Sequence, residues 1–566
     1  MADLTHLIRE RAETRGGDRS RARRGHPWLT LASVAFGLIM VGLDGSVVAI
    51  ANPAIAKDLG ASLSELQWIT NAYLLALGVL LIPAGKLGDR YGRRLVFLIG
   101  VAGFGLASLG IGLIGTSAGV IALRVIQGGF GAMLMPNSLA ILRATFPPEK
   151  LNLAIGVWGG SSAVSIAAGP IVGGLLVEHV SWESVFFLNL PIAAIALALG
   201  TRVLAESRSG AEHSHDLRGL LLLGGGLFAL VFGLIKAQEW GWGSARTIGF
   251  LLAGIVLLAA FVQVESRTRL ALLPMRLFRN RSLSIGAVTV LVGFLAMFGV
   301  LFFITLYLQN VHGYSPVEAG VRTLPLSLTM MLAAPLGGLL TERLGPRPPL
   351  AGGLSIIGIA LLLMTGLGVD SGFSSLWPPF VMLGAGLGFV ITASSEVIVG
   401  NAPVDDAGVA SGLQSTAIQV GGVMGTSILG SVLASRVGSV LLSSLIGAGV
   451  PTELSRSLED SKELVAQGVV PPVAGASAQL QAAIASGSHE AFMSGLHTSM
   501  LVGAVLALMA AVGALFVSRG QREQGGFNWS SQHLIEEVAM RTSKVRASGQ
   551  TGRDAKGWAG HPGVGR

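Results

Sequence analysis

Polar and apolar residues alternate along this chain in long blocks rather than at helical or strand spacing. Apolar stretches of about 20 residues, the length that crosses a hydrocarbon core as a helix, occur near 28–50, 67–87, 95–115, 118–141, 154–177, 185–203, 217–236, 246–264, 283–307, 321–341, 350–369, 376–398, 410–433 and 499–517. A span surrounded by lipid must satisfy its own backbone hydrogen bonds, so each predicts a helix. A transmembrane barrel would show short alternating segments instead. The expected class is therefore an all-α integral membrane protein with fourteen spans. The first apolar run begins at Trp28 and is too long for the core of a secretory leader, so no cleavable signal peptide is expected. Residues 434–498 read as a long loop with amphipathic helices near 452–466 and 477–496. Residues 1–27 and 518–566 read as polar tails, the second lacking the apolar content to fold. None of these segments has room for a sizeable catalytic domain.

Composition sharpens the class. Hydrophobic residues make up 51% of the 566 and charged residues 12%, against about 25% charged in soluble domains. The 80 glycines suit helices that pack closely in lipid. Cysteine is absent, which excludes disulfides, thiolate nucleophiles and thiolate-bound metals. The net charge of +8 would fit a nucleic-acid surface, but its distribution does not. With the N-terminus inside, the inside connections, tails and adjoining span ends carry 31 Lys and Arg and the outside ones carry 6. That asymmetry predicts cytoplasmic N- and C-termini by the positive-inside rule. It also accounts for the basic charge without nucleic acid as a partner.

An internal repeat organises the spans. The connection after span 2 reads Gly85-Lys86-Leu87-Gly88-Asp89-Arg90-Tyr91-Gly92-Arg93-Arg94. The one after span 10 reads Gly338-Leu339-Leu340-Thr341-Glu342-Arg343-Leu344-Gly345-Pro346-Arg347. Five of the ten positions are identical, a sixth keeps its acid, and the offset is 253 residues, which covers eight spans. Any short cytoplasmic loop collects Gly and Arg, but that does not explain the shared order. Two six-span repeats with a pair of spans inserted between them match the count. The expected organisation is a bundle over 28–203, an inserted pair over 217–264 and a second bundle over 283–517. Parallel repeats of this kind hold substrate at their interface.

The Gly85–Arg94 stretch resembles the signature loop of the major facilitator superfamily. Other stretches resemble its fourteen-span drug–proton antiporter branch: Leu43-Asp44-Gly45-Ser46-Val47-Val48 followed by Asn52-Pro53, Arg124 through Gly131 in span 4, and Ser165 through Gly174 in span 5. Phe187, Asn189 and Pro191, and Leu308-Gln309 with Gly313-Tyr314, fit as well. Gly45-Ser46 departs from the pattern, which often has a bulkier residue and Thr. The resemblance covers about residues 28–517. It implies a proton-coupled antiporter that exports small hydrophobic compounds such as drugs, antibiotics or dyes by alternating access. The membrane implied is the bacterial cytoplasmic one. Proton symport, lipid or metabolite transport on the same fold, and a non-transporting sensor are the alternatives.

Individual residues carry the expected chemistry. Asp44 lies about 16 residues into span 1, where a carboxylate is costly unless it meets a partner or a wet cavity. Proton coupling and a static structural role both fit it. Arg124 is expected at similar depth in span 4, and the resemblance brings spans 1 and 4 together. Gln127, Gly128 and Gly131 share its helical face. Glu396, near the end of span 12, is either a second protonation site or an interfacial residue. Asp89, with Arg90, Arg93 and Arg94, and Glu342 with Arg343, form an expected cytoplasmic gate with Gly85 and Gly92. Gly169, Pro170, Gly173 and Gly174 form the antiporter motif that the resemblance implies. Asn71, Tyr73, Gln127, Met133, Asn137, Trp158 and Gln309 are candidates for the substrate path. No phosphate-binding Gly-rich loop with Lys-Ser/Thr is present, so the proton gradient rather than ATP is the expected drive. A membrane-embedded enzyme would need a polar cluster at one interface. His213, His215 and Asp216 cluster only in a short polar loop, and His489, Glu490 and His497 miss metal-binding spacing. No enzyme activity, cofactor or metal is expected, and the chain is expected to work as a monomer.

Overall fold

The computed structural model describes residues 25–208, 216–268, 271–402 and 407–518. Nearly all of the basic and polar tails, and His213 and His215, lie outside these residues. Among the described residues fourteen helices are long and apolar enough to cross a membrane. The first half comprises α1 (Pro27–Leu59), α2 (Leu63–Tyr91), α3 (Arg93–Leu113), α4 (Ser117–Thr145), α5 (Leu153–His179) and α6 (Ser184–Val203). The inserted pair is α7 (Leu217–Ala237) and α8 (Ala245–Arg267). The second half comprises α9 (Arg281–Val311), α10 (Pro316–Leu344), α11 (Arg347–Met364), α12 (Phe373–Val399), α13 (Val409–Gly447) and α14 (Ala478–Ala514).

Local chemistry sets the helix ends, and it repeats. Ser62 and Glu65 form a reciprocal capping box at the start of α2, and Ser315 and Glu318 form one at the start of α10. Gly60 and Gly313 precede them in the left-handed region, at φ 63° and 68°. Gly92 and Gly345 close the same two helices, again with positive φ. All four pairs keep the 253-residue offset of the loop motif. The repeat therefore extends through a whole helix and both of its turns, where side-chain identity is mostly lost but cap and turn chemistry is kept.

Within the first half, α1 packs on α5 and α6, and α2 on α4. Within the second, α9 packs on α13, α10 on α12, and α14 on α11 and α13. The halves meet along two seams. At one, α2 faces α13: Gln67 Nε2 donates to Thr426 O at 2.9 Å, Asn71 Nδ2 to Ser427 Oγ at 3.0 Å, and Thr416 Oγ1 to Gly78 O at 3.1 Å. The inserted α7 packs across this seam, and α8 packs on α7. At the other seam α5 meets α10 near the face away from the basic loops. A Cβ on Gly174 would lie 2.6 Å from Pro316 O, and one on Gly320 would collide with Pro170 O. Glu178 accepts from the Val317 backbone N–H at 3.0 Å, next to this crossing. Leu106, Leu221 and Leu332 are among the large apolar side chains left exposed on the outside of the bundle, where only a hydrocarbon solvent suits them.

The long loop expected over 434–498 is mostly helix. The α13 helix continues to Gly447 and α14 begins at Ala478, so residues 448–477 alone connect them. Short turns at Thr452–Ser457, Leu458–Ser461 and Lys462–Val465 stand where one amphipathic helix was expected. The second expected segment, 477–496, is the first part of α14. Ser, Gly and Ala dilute the hydropathy there, but Val437, Leu441 and Leu445 bury against the side that carries Ile484, Phe492 and Leu496. At 39 and 37 residues, these helices are about 55–58 Å long and outrun a core of about 30 Å.

The α5–α10 crossing yields a stability test. Gly320→Ala is expected to lower stability by about 1–3 kcal/mol through overpacking against the Pro170 carbonyl. The readout is the thermal midpoint of the detergent-solubilised protein.

Candidate functional site

Asp44 sits midway along α1 with its side chain buried in the first half and its residue 1% exposed. Arg124, also 1% exposed, reaches it from α4: NH1 lies 2.5 Å from Asp44 Oδ2. The other carboxylate oxygen, Oδ1, accepts from Gln127 Nε2 at 2.8 Å and Asn189 Nδ2 at 3.0 Å. Both amides also reach Ser108 Oγ, at 2.8 and 3.2 Å. Arg124 further donates to Gln127 Oε1 at 2.7 Å and to Ile69 O at 3.0 Å, and its guanidinium lies 4.2 Å from the Tyr73 ring centroid. Five helices thus supply one closed polar network: α1, α2, α3, α4 and α6. Such a network is favourable in a dry interior only when its members are satisfied.

The sequence reading brought Asp44, Arg124 and Gln127 together. Ser108 gave no signal, being one small polar residue in a Gly-rich helix. Asn189 belongs to the stretch with Phe187 and Pro191, and the only sign that it partners Asp44 is a lone amide in an apolar run just before Pro191.

A cavity of about 210 Å³ lies between the two halves. Gly45, Ser46, Thr70 and Tyr73 line it from the first half, and Met297, Phe298, Phe302 and Met330 from the second. None of its lining side chains, among the described residues, is charged. Asp44 is not on its wall; the carboxylate turns away from the cavity into the first half. Tyr73 belongs to both sites, bordering the cavity and carrying Arg124 on its ring. The close approach of α4 to α2 at this point depends on Gly128, where a Cβ would collide with Tyr73 O.

The other substrate-path candidates lie elsewhere. Asn71 is a seam residue, and its Oδ1 also accepts from Thr426 Oγ1 at 2.5 Å. Gln309 sits in a π-helical turn, Tyr307–Val311, and donates to Ile50 O at 3.0 Å, tying α9 to α1. Met133 marks a break in α4 between Ala132 and Leu134, three residues before Pro136, which has no N–H to continue the ladder. Asn137 donates to Ala84 O at 3.2 Å and occupies the space beside Gly88 that a Cβ would fill. Trp158 Nε1 donates to Ser138 Oγ at 2.9 Å.

In the first basic loop, Arg93 pairs with Asp89 at 2.8 Å, and Arg94 donates from its backbone N–H to Glu206 at 3.1 Å and from NH2 to Thr201 O at 2.9 Å. Glu342 and Arg343 are exposed at the end of α10. Glu396 is half-buried close to the end of α12, near Gly400. Gly169 and Gly173 admit Ser46 and Val47 of α1, while Pro170 and Gly174 face α10. The span 5 motif is therefore a close-packing surface toward both halves.

Two related halves around a central apolar cavity, with a buried ion pair behind one wall, define a membrane transporter rather than an enzyme. The chain belongs to the Major Facilitator Superfamily, which it matches over residues 34–426. It is 48% identical over 507 residues to the tetracenomycin C resistance and export protein of Streptomyces glaucescens, covering 88% of this chain and 93% of that one. The puromycin resistance protein pur8 of Streptomyces alboniger is 35% identical over 436 residues, covering 76% and 85%. The methyl viologen resistance protein SmvA of Salmonella typhimurium strain LT2 is 32% identical over 501 residues, covering 88% and 99%. Among solved structures, a bacterial homolog of the human lysosomal transporter Spinster, inward-facing and occupied, shares the fold. Its TM-score is 0.58 at 17% identity, over 86% of this chain and 96% of that one.

The polar network yields its own test. Asn189→Ala strips one donor from Asp44 and one from Ser108, and is expected to cost about 1–3 kcal/mol. Thermal unfolding in detergent measures it, with Asn189→Asp as the opposite case that adds a second buried acid.

Proposed function

We propose that this protein exports small, uncharged, largely apolar compounds from the cytoplasm in exchange for protons, by alternating access of the central cavity. The observation that carries the reading is the buried Asp44–Arg124 pair set directly behind the cavity wall. Arg stays charged at every relevant pH, so Asp44 is the member of the pair given the exchanged proton. Protonation of Asp44 removes half of the ion pair, and Gln127 and Asn189 re-satisfy the neutral carboxyl. The freed Arg124 charge then bears more strongly on Tyr73, and hence on whatever lies against that ring. Substrate and proton thereby compete through one aromatic wall without touching.

The antibiotic and dye-type compounds in the names of the relatives support export as the direction. The aromatic and Met lining supports apolar, ring-bearing cargo, and the absence of a charged side chain from the lining, among the described residues, favours uncharged compounds. The excess of basic residues on the Asp89 face supports a cytoplasmic position for that face and for both termini. In the present state α5 and α10 touch at the opposite face. Rocking about the α2–α13 seam would open that crossing, and the glycines of α5 and α10 let it re-form. Each proton moving inward supplies about 2.3 kcal/mol per 100 mV of membrane potential, plus the pH term.

Two experiments test this reading. In proteoliposomes with an imposed pH gradient, Asp44→Asn is expected to abolish gradient-driven export of a fluorescent apolar dye, and to lower the thermal midpoint because the buried Arg124 charge loses its partner; unchanged export by the folded variant removes the role given to Asp44. Gly45 lines the cavity, and nothing lies within 4 Å of where its Cβ would stand. Gly45→Leu is accordingly expected to fill the cavity and reduce dye export at least tenfold, about 1.4 kcal/mol in transport terms, without loss of folded protein.

A further inference from the structure

Lys86 and Arg93 are the two basic residues of the first loop motif that its repeat replaces with uncharged ones, Leu339 and Pro346; Arg93 pairs with Asp89, and Lys86 turns toward the inserted pair. The difference coincides with a neighbour that the second half lacks. Lys86 Nζ donates to Ala271 O at 2.9 Å, in the connection between the inserted pair and α9. Beside it stands Glu265, in the last turn of α8, only 2% exposed. Glu265 Oε2 accepts from the Leu273 backbone N–H at 3.0 Å, while its Oε1 is buried without a donor. Asp216 caps α7: its Oδ1 accepts from Gly219 N at 2.7 Å, and its Oδ2 is likewise buried without a donor.

The two open oxygens converge on one point. A Cβ on Gly219 would collide with Glu265 Oε1 and stand 3.0 Å from Asp216 Oδ2, so the bare Cα of Gly219 is what admits both. The two carboxyl groups therefore face each other as close neighbours across Gly219. Two carboxylates in that geometry present acceptor to acceptor, and like charges at close range disfavour double ionisation. The charged groups acting on Glu265 are Lys86 from α2 and Asp216 from the start of α7. Arg218, Arg267, Arg276 and Arg279, on the elements packed around it, are exposed.

We propose that Glu265 and Asp216 share one bound proton and, with Lys86, form a clasp that fastens the inserted helix pair to α2 next to the Asp89–Arg93 loop. The clasp is a proton-binding site separate from Asp44. With the proton in place, the Glu265 and Asp216 side chains are joined and Lys86 remains on Ala271 O. Loss of the proton leaves two adjacent negative charges that one ammonium cannot balance, and the helix pair loosens from α2. The clasp is thus closed at low pH and released as the pH on the basic face rises.

Infrared difference spectroscopy of the full-length protein in lipid nanodiscs tests the site without requiring transport. In an Asp44→Asn background, a protonated-carboxyl band is expected that disappears as pH rises. Adding Glu265→Gln or Asp216→Asn is expected to remove that band. Asp216→Asn keeps an N-cap side chain, so it guards against loss of fold through Glu265→Gln. A band that persists unchanged in both double variants overturns the proposal. Because Asp44 is neutralised throughout, a failure of proton-driven export through Asp44 would leave this result readable.

Discussion

The structure depends on keeping one ion pair dry. Asp44 and Arg124 are both removed from water, and leaving either charge there without the other is costly. Every nearby choice follows from this constraint. Gln127 and Asn189 occupy the second carboxylate oxygen, Ser108 ties the two amides together, and the Ile69 carbonyl holds the guanidinium. Gly128 lets α4 approach α2 closely enough for Tyr73 to lie beside Arg124. The first half thus buries its charge away from the cavity and presents only uncharged described side chains to it.

The two halves have diverged around that constraint. Their caps, turns and loop motifs keep a common offset, but the position 253 residues after Asp44 is Met297, a cavity-lining apolar residue. One half carries the ionisable network and the other contributes bulk and polarizable surface. An asymmetric pair of this kind keeps the buried ion pair apart from the cavity lining, with Tyr73 shared between them. The inserted pair adds a second asymmetry, since it packs on α2 and α13 and not on the α5–α10 crossing. The seam it covers is the one rich in interhelical hydrogen bonds, and the uncovered seam is the one built from glycine and proline. The two seams thus differ in kind: buried hydrogen bonds join α2 and α13, and close glycine–backbone packing joins α5 and α10.

Much of this was legible in the linear pattern. Fourteen apolar blocks of bilayer length, a 253-residue repeat and a strongly uneven distribution of Arg are properties of the chain itself, because lipid imposes its requirements on each helix separately. Asp44 and Arg124 were legible for the same reason: an ionised side chain inside an apolar block demands a partner wherever the chain goes. The extent of α13 and α14 was not legible. Their outer parts are too rich in Ser, Gly and Ala to register as membrane-spanning, and they hold together by packing on each other.

Tertiary structure alone decided which polar residues meet. Asn71 and Gln309 have the composition of cavity residues and the positions of seam residues, because their hydrogen-bond partners come from the opposite half. Asn189 joins Asp44, 145 positions away, and Ser108, 81 positions away, because helix crossings bring the three together. The sequence determined class, span number, repeat and the need for a buried ion pair, since each follows from the solvation of single helices. The cavity, its uncharged lining and the carboxyl pair at Glu265 depend on how the helices pack against one another, and no single segment encodes that.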